Sequence, residues 1–145
     1  EPLRILGRVE NGEIVKAAEP VITCQCIRVP VLDGHTAAVF VKFRKKVTKE
    51  ELVEKLVSFH GLPQELKLPS APAQFIQYME EDDRPQVKLD VDFEKGMGTS
   101  IGRLREDTVY DWKFVGLSHN TVRGAAGGAI LCAELLTAQG YISAK

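Results

Sequence analysis

Two residues within one hydrophobic stretch of the sequence could carry chemistry. Arg28 lies just before Pro30, and His35 follows the pair Asp33-Gly34. The flanking residues have the pattern of two strands joined by a turn at Asp33-Gly34, so both side chains are expected at the same end of one hairpin. A planar cation beside a group that titrates near neutral pH suits a small anionic substrate. The sequence therefore predicts a small anion-binding, acid/base site on this hairpin.

Each of these residues also has a plain structural interpretation, as a surface strand residue or a loop histidine. Three further positions have two interpretations. Arg103 and Arg105 alternate onto one strand face, where they either contact a phosphate or carboxylate or point into solvent. Asn120 precedes a glycine-rich helix start, so it is either the helix N-cap or a contact for the amide or phosphate of a nucleotide.

The hairpin is predicted from strands at residues 21–29 and 36–43. A helix should follow, because Thr48 and Glu51 have the spacing of a capping box. That helix is expected to reach about His60 and to stop at Gly61. Residues 62–73 contain three prolines and are predicted to form a surface loop.

The second half of the chain contains five more predicted elements. Three glycines in the predicted strand at 96–105 and three in the predicted last helix indicate close approach of another group to the backbone. The elements are strands at 75–79, 87–93, 96–105 and 109–117 and a helix at about 120–138.

The order of these segments predicts an α/β fold in which a mixed, mostly antiparallel sheet carries helices on one face. With 145 residues and 44% hydrophobic content, the chain can form one globular domain over residues 1–145. Tyr110, Trp112 and Phe114 are expected on one strand face, packed against helices or a second copy. Residues 1–6 resemble the end of a helix that stops at Gly7, so we expect the chain to belong to a longer polypeptide. Asn11-Gly12 is predicted to form a turn.

Charge and composition argue against several functional classes. The sequence has 19 Lys and Arg against 20 Asp and Glu, a net charge of −1, whereas nucleic-acid-binding proteins usually carry a basic excess. No apolar run approaches the length of a membrane span, and no signal peptide opens the sequence. Cys24, Cys26 and Cys132 have no metal-ligand spacing, so no metal site is expected. Three cysteines, an odd number, fit a reduced cytoplasmic setting best.

Three motifs, taken in order, resemble a known family. They are Cys26-Ile-Arg-Val-Pro-Val-Leu-Asp-Gly-His-Thr36, Gly102-Arg-Leu-Arg-Glu-Asp107 and His119-Asn-Thr-Val-Arg-Gly-Ala-Ala-Gly-Gly-Ala129. Together they resemble aspartate-semialdehyde dehydrogenase of the archaeal and fungal branch. The resemblance covers essentially the whole chain but only the C-terminal part of that enzyme. It implies the C-terminal catalytic and dimerisation domain of the glyceraldehyde-phosphate-dehydrogenase-like fold.

The sequence also departs from the family pattern. The nucleophilic cysteine of the family lies in a Ser-Asn-Cys segment, and none of the three cysteines here has those neighbours. The glycine-rich loop that opens the family's dinucleotide-binding fold does not occur either. Cys132 stands where the family pattern has Asn. We therefore expect the nucleophile and most of the NADP-binding surface to lie in an N-terminal domain, and this chain alone to be inactive.

The resemblance also implies a reaction and residue roles. Aspartyl phosphate and NADPH would be converted to aspartate semialdehyde, phosphate and NADP through a cysteine thioester, in the pathway to lysine, methionine and threonine. His35 would be the catalytic acid/base, Arg28 would bind the substrate carboxylate, and Asn120 would reach toward the nicotinamide of the cofactor. The implied partners are this small-molecule substrate and further copies of the chain, in a homodimer or higher oligomer.

An alternative from another class is a small-molecule-binding or dimerisation module without chemistry of its own. The isolated chain would behave in this way if half of the active site lies elsewhere.

Overall fold

The structure is a computed structural model that describes residues 1–143. It contains two compact units, the first at residues 1–30 and the second beginning at Val31. The prediction of one domain over the whole chain stays a prediction. The helices and strands, in chain order, are α1 (Pro2–Ile5), β1 (Arg8–Glu10), β2 (Glu13–Val15), β3 (His35–Val41), α2 (Lys49–Val57), α3 (Leu62–Glu65), β4 (Ile76–Met79), α4 (Val87–Asp90), β5 (Thr99–Glu106), β6 (Trp112–Ser118) and α5 (Gly127–Ala138).

The first unit contains α1 and the hairpin of β1 with β2. The helix ends just before Gly7, as predicted. The hairpin turns at Asn11 and Gly12, whose φ angles are 52° and 82°. A two-residue hairpin turn with positive φ at both positions favours Asn-Gly, so the turn signal in the sequence is confirmed.

The prediction of a strand at residues 21–29 is wrong. Residues 16–34 contain no helix or strand. Val21 is 94% exposed and Ile27 is 76% exposed. β-Branched residues favour a strand only where a neighbouring strand accepts their backbone hydrogen bonds and packs against them. The predicted partner strand, β3, forms as expected but pairs with β6 instead.

The second unit contains a four-stranded sheet in the order β3-β6-β5-β4. β6 is antiparallel to both of its neighbours, and β4 is parallel to β5. The predicted fold class, a mixed and mostly antiparallel sheet with helices, is confirmed. Strand positions agree with the sequence pattern for β3, β4, β5 and β6 to within a few residues at each end.

Helix α2 lies near one face of this sheet. The Lys49 ammonium lies 5.7 Å from the centre of the Tyr78 ring, and Trp112 Nε1 donates to the carbonyl of Val47 at 3.2 Å. Cross-strand pairing places Tyr78 and Trp112 on the same face. The segment that starts α2 therefore covers Trp112, which is only 8% exposed.

The three aromatic residues near β6 do not form the single face that the sequence pattern predicts. Tyr110 precedes the strand, and its ring centre lies 6.1 Å from that of Phe40. Phe40 pairs with Lys113, which places it on the face opposite Trp112 and Phe114. Phe40 and Tyr110 are 55% and 47% exposed in the single chain. A turn held by Asp107 before β6 redirects Tyr110 to the second face, because the Asp107 carboxylate accepts from its backbone N–H at 2.9 Å.

The start of α2 is confirmed in detail. Thr48 Oγ1 accepts from the Glu51 N–H at 3.2 Å, and the Glu51 carboxylate accepts from the Thr48 N–H at 2.8 Å. The helix ends at Val57, earlier than the predicted His60. Gly61 then starts the one-turn helix α3 within the segment predicted as a loop.

The prediction of a strand at residues 87–93 is wrong, because this segment forms α4 and then a 3₁₀ turn at Phe93–Gly96. Its hydrophobic residues alternate, but Val87 and Val91 are also four residues apart and so share one helix face. The buried Asp90 favours the helical spacing over the alternation of a strand. Its carboxylate accepts from the Gln86 N–H at 2.6 Å and pairs with Arg84, which ties the residue to the start of its own helix.

The glycine-rich segments do make close contacts, as predicted, and the groups that approach belong to the chain itself. A Cβ at Gly102 would collide with the backbone carbonyl of Arg84. A Cβ at Gly127 would lie 2.5 Å from Met97 Sδ. The predicted last helix is present as a π-helical turn at Val122–Ala126 followed by α5. No helix within residues 1–143 is both long and apolar enough to cross a membrane.

Candidate active site

His35 is the first residue of β3, and its side chain is exposed at one end of the sheet. It pairs with Ser118 at the end of β6, which in turn pairs with Thr99 at the start of β5. Cross-strand partners point to the same side of a sheet. The imidazole therefore belongs to a row of three polar side chains where these strands meet.

Gly34, directly before His35, is buried and has a φ of 99°. A Cβ at this position would lie 3.1 Å from Leu117 Cδ1 and 3.3 Å from the side chains of both Val87 and Val91. Positive φ and this close packing both favour glycine. The Asp33-Gly34 turn predicted from the sequence is present, and it directs the chain into β3.

Asn120 binds the same turn. Its side-chain Oδ1 accepts a hydrogen bond from the Gly34 N–H at 2.7 Å, across 86 residues of sequence. Asn120 makes no N-cap hydrogen bond to the helix that follows, so the capping interpretation is wrong. The side chain that could reach a cofactor thus also contacts the turn that carries His35.

His119 is a site residue that the sequence did not reveal. It reads as a loop residue, yet it is only 8% exposed. Its Nδ1 accepts from the N–H groups of Thr121 and Val122, both at 3.3 Å. The neutral ring therefore carries its proton on Nε2, which lies 3.9 Å from the Asp92 carboxylate. Ser, Thr, Asn and Asp are the usual N-caps. The sequence signal that could have identified this histidine is its position directly before a predicted helix start.

Arg28 lies in the first unit, in a segment without helix or strand, and its side chain is exposed. His35 belongs to the second unit. The predicted hairpin that would have joined them is absent from residues 16–34. A shared site for these two residues stays a prediction.

Arg103 and Arg105 do not alternate in the simple way that the sequence suggests. A β-bulge lies between Gly102 and Arg105, and Arg103 has a φ of 56°. Arg105 donates to the Arg103 carbonyl at 2.8 Å and pairs across the strands with Lys113. Both arginines are exposed, and the bulge removes the common orientation on which the anion-contact interpretation depended.

A buried ion pair lies at α4, the helix next to the His35 turn. Asp90 has a side chain only 2% exposed, paired with Arg84 and bonded to the Gln86 N–H. The hydrogen bonds from Arg84 lower the pKa of Asp90, and burial opposes that shift without reversing it. The side chains of Val87 in α4 and Val91 directly after it lie 3.3 Å from a Cβ built at Gly34, so this ion pair ties Asp90 to the start of the helix against which the His35 turn packs.

The chemistry available from these residues is proton transfer by an exposed imidazole at a rigidly packed turn. Within residues 1–143, no group of three or more His, Cys, Asp or Glu side chains could hold a metal ion. Cys24, Cys26 and Cys132 are free and exposed.

Comparisons with known proteins identify the family of the chain. The family described as "Semialdehyde dehydrogenase, dimerisation domain" matches residues 1–123. The chain is 44% identical over 138 residues to aspartate-semialdehyde dehydrogenase of Methanothermobacter thermautotrophicus, covering 94% of this chain and 40% of that protein. It is 38% identical over 148 residues to malonyl CoA reductase (NADP) of Metallosphaera sedula, covering 100% of this chain and 42% of that protein.

The structure also resembles a solved one. The crystal structure of aspartate semialdehyde dehydrogenase with NADP from Candida albicans matches with a TM-score of 0.85 and 40% identity, covering 97% of this chain and 41% of that one. The chain thus spans about two fifths of the length of the curated relatives it matches. By both sequence and fold, it belongs to the semialdehyde dehydrogenase family, as its dimerisation domain.

Proposed function

We propose that this chain is the C-terminal catalytic and dimerisation domain of a cytoplasmic, NADP-dependent aspartate-semialdehyde dehydrogenase. The complete enzyme converts aspartyl phosphate and NADPH to aspartate semialdehyde, phosphate and NADP. The observation that carries the proposal is the similarity of nearly the whole chain to enzymes of that name. The exposed His35, at the end of the sheet, supplies a group suited to the proton transfers of that reaction.

His35 is the proposed catalytic acid/base. Its imidazole moves a proton to or from the reacting oxygen or thiol, a role that histidine fills more often than any other side chain. The turn that carries it is packed against three side chains, which restrain the backbone from which the imidazole projects.

Arg28 is the proposed ligand of the substrate carboxylate. Its exposed guanidinium can bind a carboxylate through two parallel hydrogen bonds, which a lysine cannot. The carboxylate is remote from the reacting carbon, so this contact acts mainly on binding.

Asn120 is the proposed contact for the nicotinamide. NADPH supplies the hydride when it is bound. Because Asn120 Oδ1 accepts from Gly34, the side-chain NH₂ is the group that fits a carbonyl oxygen of the nicotinamide carboxamide. The nucleophilic cysteine and most of the cofactor contacts belong to the rest of the enzyme in this proposal.

A second copy of the chain is the proposed partner. Phe40 and Tyr110 form an exposed aromatic pair on the sheet face opposite Trp112. Replacing Phe40 with Glu should shift the protein from dimer to monomer in sedimentation equilibrium. Leu66→Glu, at an exposed leucine after α3, should leave the dimer intact. A Phe40 variant that stays dimeric would remove this face from the proposal.

Reduction of malonyl-CoA is a second candidate function, favoured by the similarity to a malonyl CoA reductase over the full length of this chain. Both reactions reduce an activated acyl group of a substrate that also carries a free carboxylate. Full-length polypeptide assayed with NADPH should reduce aspartyl phosphate faster than malonyl-CoA, and the reverse order would move the assignment to the second candidate. A polypeptide that binds these compounds but turns over neither would instead be the non-catalytic module.

Kinetics of the full-length polypeptide test the residue roles. His35→Ala should lower kcat by roughly 10²–10⁴-fold with little change in KM. Arg28→Leu should chiefly raise KM for the substrate. His60→Ala and Arg4→Leu are the matched controls, since both change exposed residues of the same type, and they should stay near wild type. Normal kcat in the His35 variant would contradict the assignment.

The chain of 145 residues on its own should show no turnover. The cysteines it contains lack the sequence context of the family's nucleophile. NADPH formation above background from aspartate semialdehyde, phosphate and NADP, in proportion to the concentration of this chain, would contradict that expectation.

A further inference from the structure

We infer that Asn120 is a positioning residue for His35, acting through the bond from the Gly34 N–H to its carboxamide oxygen. This role is separate from the proposed contact of its NH₂ group with the cofactor. The inference rests on the proposed function for its kinetic consequence, whereas the contact itself can be tested without turnover.

The sheet alone does not hold the start of β3. Pairing between β3 and β6 begins at His35 and Ser118, and β3 lies at the edge of the sheet. Strand ends at a sheet edge tend to open locally, because few contacts oppose the opening. His35 would therefore be the first residue of the strand to move if the pairing with β6 were its only restraint.

Asn120 adds one hydrogen bond beyond the last strand pair. It lies two residues after Ser118, the last residue of β6. Its side-chain oxygen accepts from the Gly34 N–H in the place where a carbonyl of β6 would do so if the strand continued. The bonded N–H belongs to Gly34, which is directly bonded to His35. Holding this amide restrains the backbone from which the imidazole projects.

Asn120 is itself held on both sides. His119 precedes it, and the His119 ring accepts hydrogen bonds from the N–H groups of Thr121 and Val122, which follow it. The ring is packed against Gly96, where a Cβ would lie 2.9 Å from His119 Cδ2. The carboxamide therefore projects from a fixed backbone, and its bond to Gly34 joins two packed segments.

Thr121 adds a weaker link to the same turn. Its hydroxyl lies 3.5 Å from Asp33 Oδ1 and 3.2 Å from His119 Nδ1, and it has one proton to donate. The inference accordingly rests on the shorter hydrogen bond to Asn120, because the Gly34 N–H has no second acceptor among residues 1–143.

Two substitutions separate the oxygen of Asn120 from its NH₂ group. Asn120→Ala removes both, whereas Asn120→Asp keeps an oxygen that accepts from Gly34 and removes the donor. Thr48→Ala is the control for general destabilisation, because it deletes the α2 cap away from this turn.

The first measurement is amide hydrogen exchange of the chain by NMR. Asn120→Ala should speed exchange at the Gly34 amide on the order of tenfold, and Asn120→Asp should restore slow exchange. Thr48→Ala should not speed exchange at Gly34 more than at other amides. Equal exchange at Gly34 in the wild type and in Asn120→Ala would overturn the inference, whether or not the proposed function holds.

The second measurement is turnover of the full-length polypeptide. Asn120→Ala should lower kcat by roughly tenfold to a hundredfold, because a small displacement of an acid/base is enough to produce such a loss. Asn120→Asp should recover most of that kcat, with any remaining defect in KM for NADP. If Asn120→Asp lost as much kcat as Asn120→Ala, the NH₂ group would carry the effect and the positioning role would be refuted. Absence of turnover in the wild type would count against the proposed function alone.

Discussion

Replacing Gly34 with Ala measures how tightly the His35 turn is packed. Two costs add at this position. A φ of 99° is strained for any residue with a side chain, at about 1–3 kcal/mol. The new Cβ would also lie 3.1–3.3 Å from three side chains, and overpacking of this kind costs about 1–3 kcal/mol. Those side chains need to give way by only a few tenths of an ångström, so we expect a total loss near 3 kcal/mol.

Two other glycines of the same unit separate these costs. Gly140 has a φ of 80°, and a Cβ there would meet no atom within 4 Å in the described part of the chain, so Gly140→Ala measures backbone strain alone. Gly116 lies within β6 without a positive φ and has equally open space, so Gly116→Ala should be neutral or slightly stabilising. The difference between the Gly34 and Gly140 variants isolates the packing against Leu117, Val87 and Val91.

Urea unfolding followed by tryptophan fluorescence is the assay. Trp112 is the single tryptophan of the sequence, lies in the same unit and is only 8% exposed, so its emission reports the unfolding of that unit. The order of stability loss should be Gly34, then Gly140, then Gly116, at unchanged m-values. A Gly34 variant as stable as the Gly140 variant would refute the packing of α4 and β6 around this turn.

Three further predictions concern the scaffold. Hydrogen bonds lower the folded-state pKa of Asp90 and Asp107 below the ordinary 3.8, so the stability they contribute is complete above that pH and is lost as pH falls through the folded values. Unfolding midpoints measured from neutral pH down to about pH 2 should fall at the acid end, and less steeply in the double variant Asp90→Asn, Asp107→Asn. Thr48→Ala should cost about 1 kcal/mol in urea unfolding by loss of the α2 cap, and a loss of zero would contradict the capping box. Ser100→Ala should cost about 1–3 kcal/mol, because this fully buried hydroxyl donates to the Asp90 carbonyl; wild-type stability would mean that the bond contributes nothing.

Short-range interactions were readable directly in the sequence. The Asn11-Gly12 turn and the Thr48-Glu51 capping box each depend on atoms a few residues apart, and both are present as predicted. The strands β3 to β6 and the helix after Asn120 also follow from local hydrophobic and glycine patterns. These elements, in their order, were enough to predict the fold class.

Contacts between distant segments decided the rest. Residues 21–29 have the composition of a strand but no strand pairs with them in the described chain, and residues 87–93 become helical because Asp90 is buried against Arg84. At the site, the sequence alone could place His35 after a glycine turn, but not the oxygen of Asn120 on the amide of Gly34 or the ring of His119 in the interior. Those positions depend on how β6 and the chain after it pack against a turn 86 residues earlier, and only the tertiary structure determines that packing.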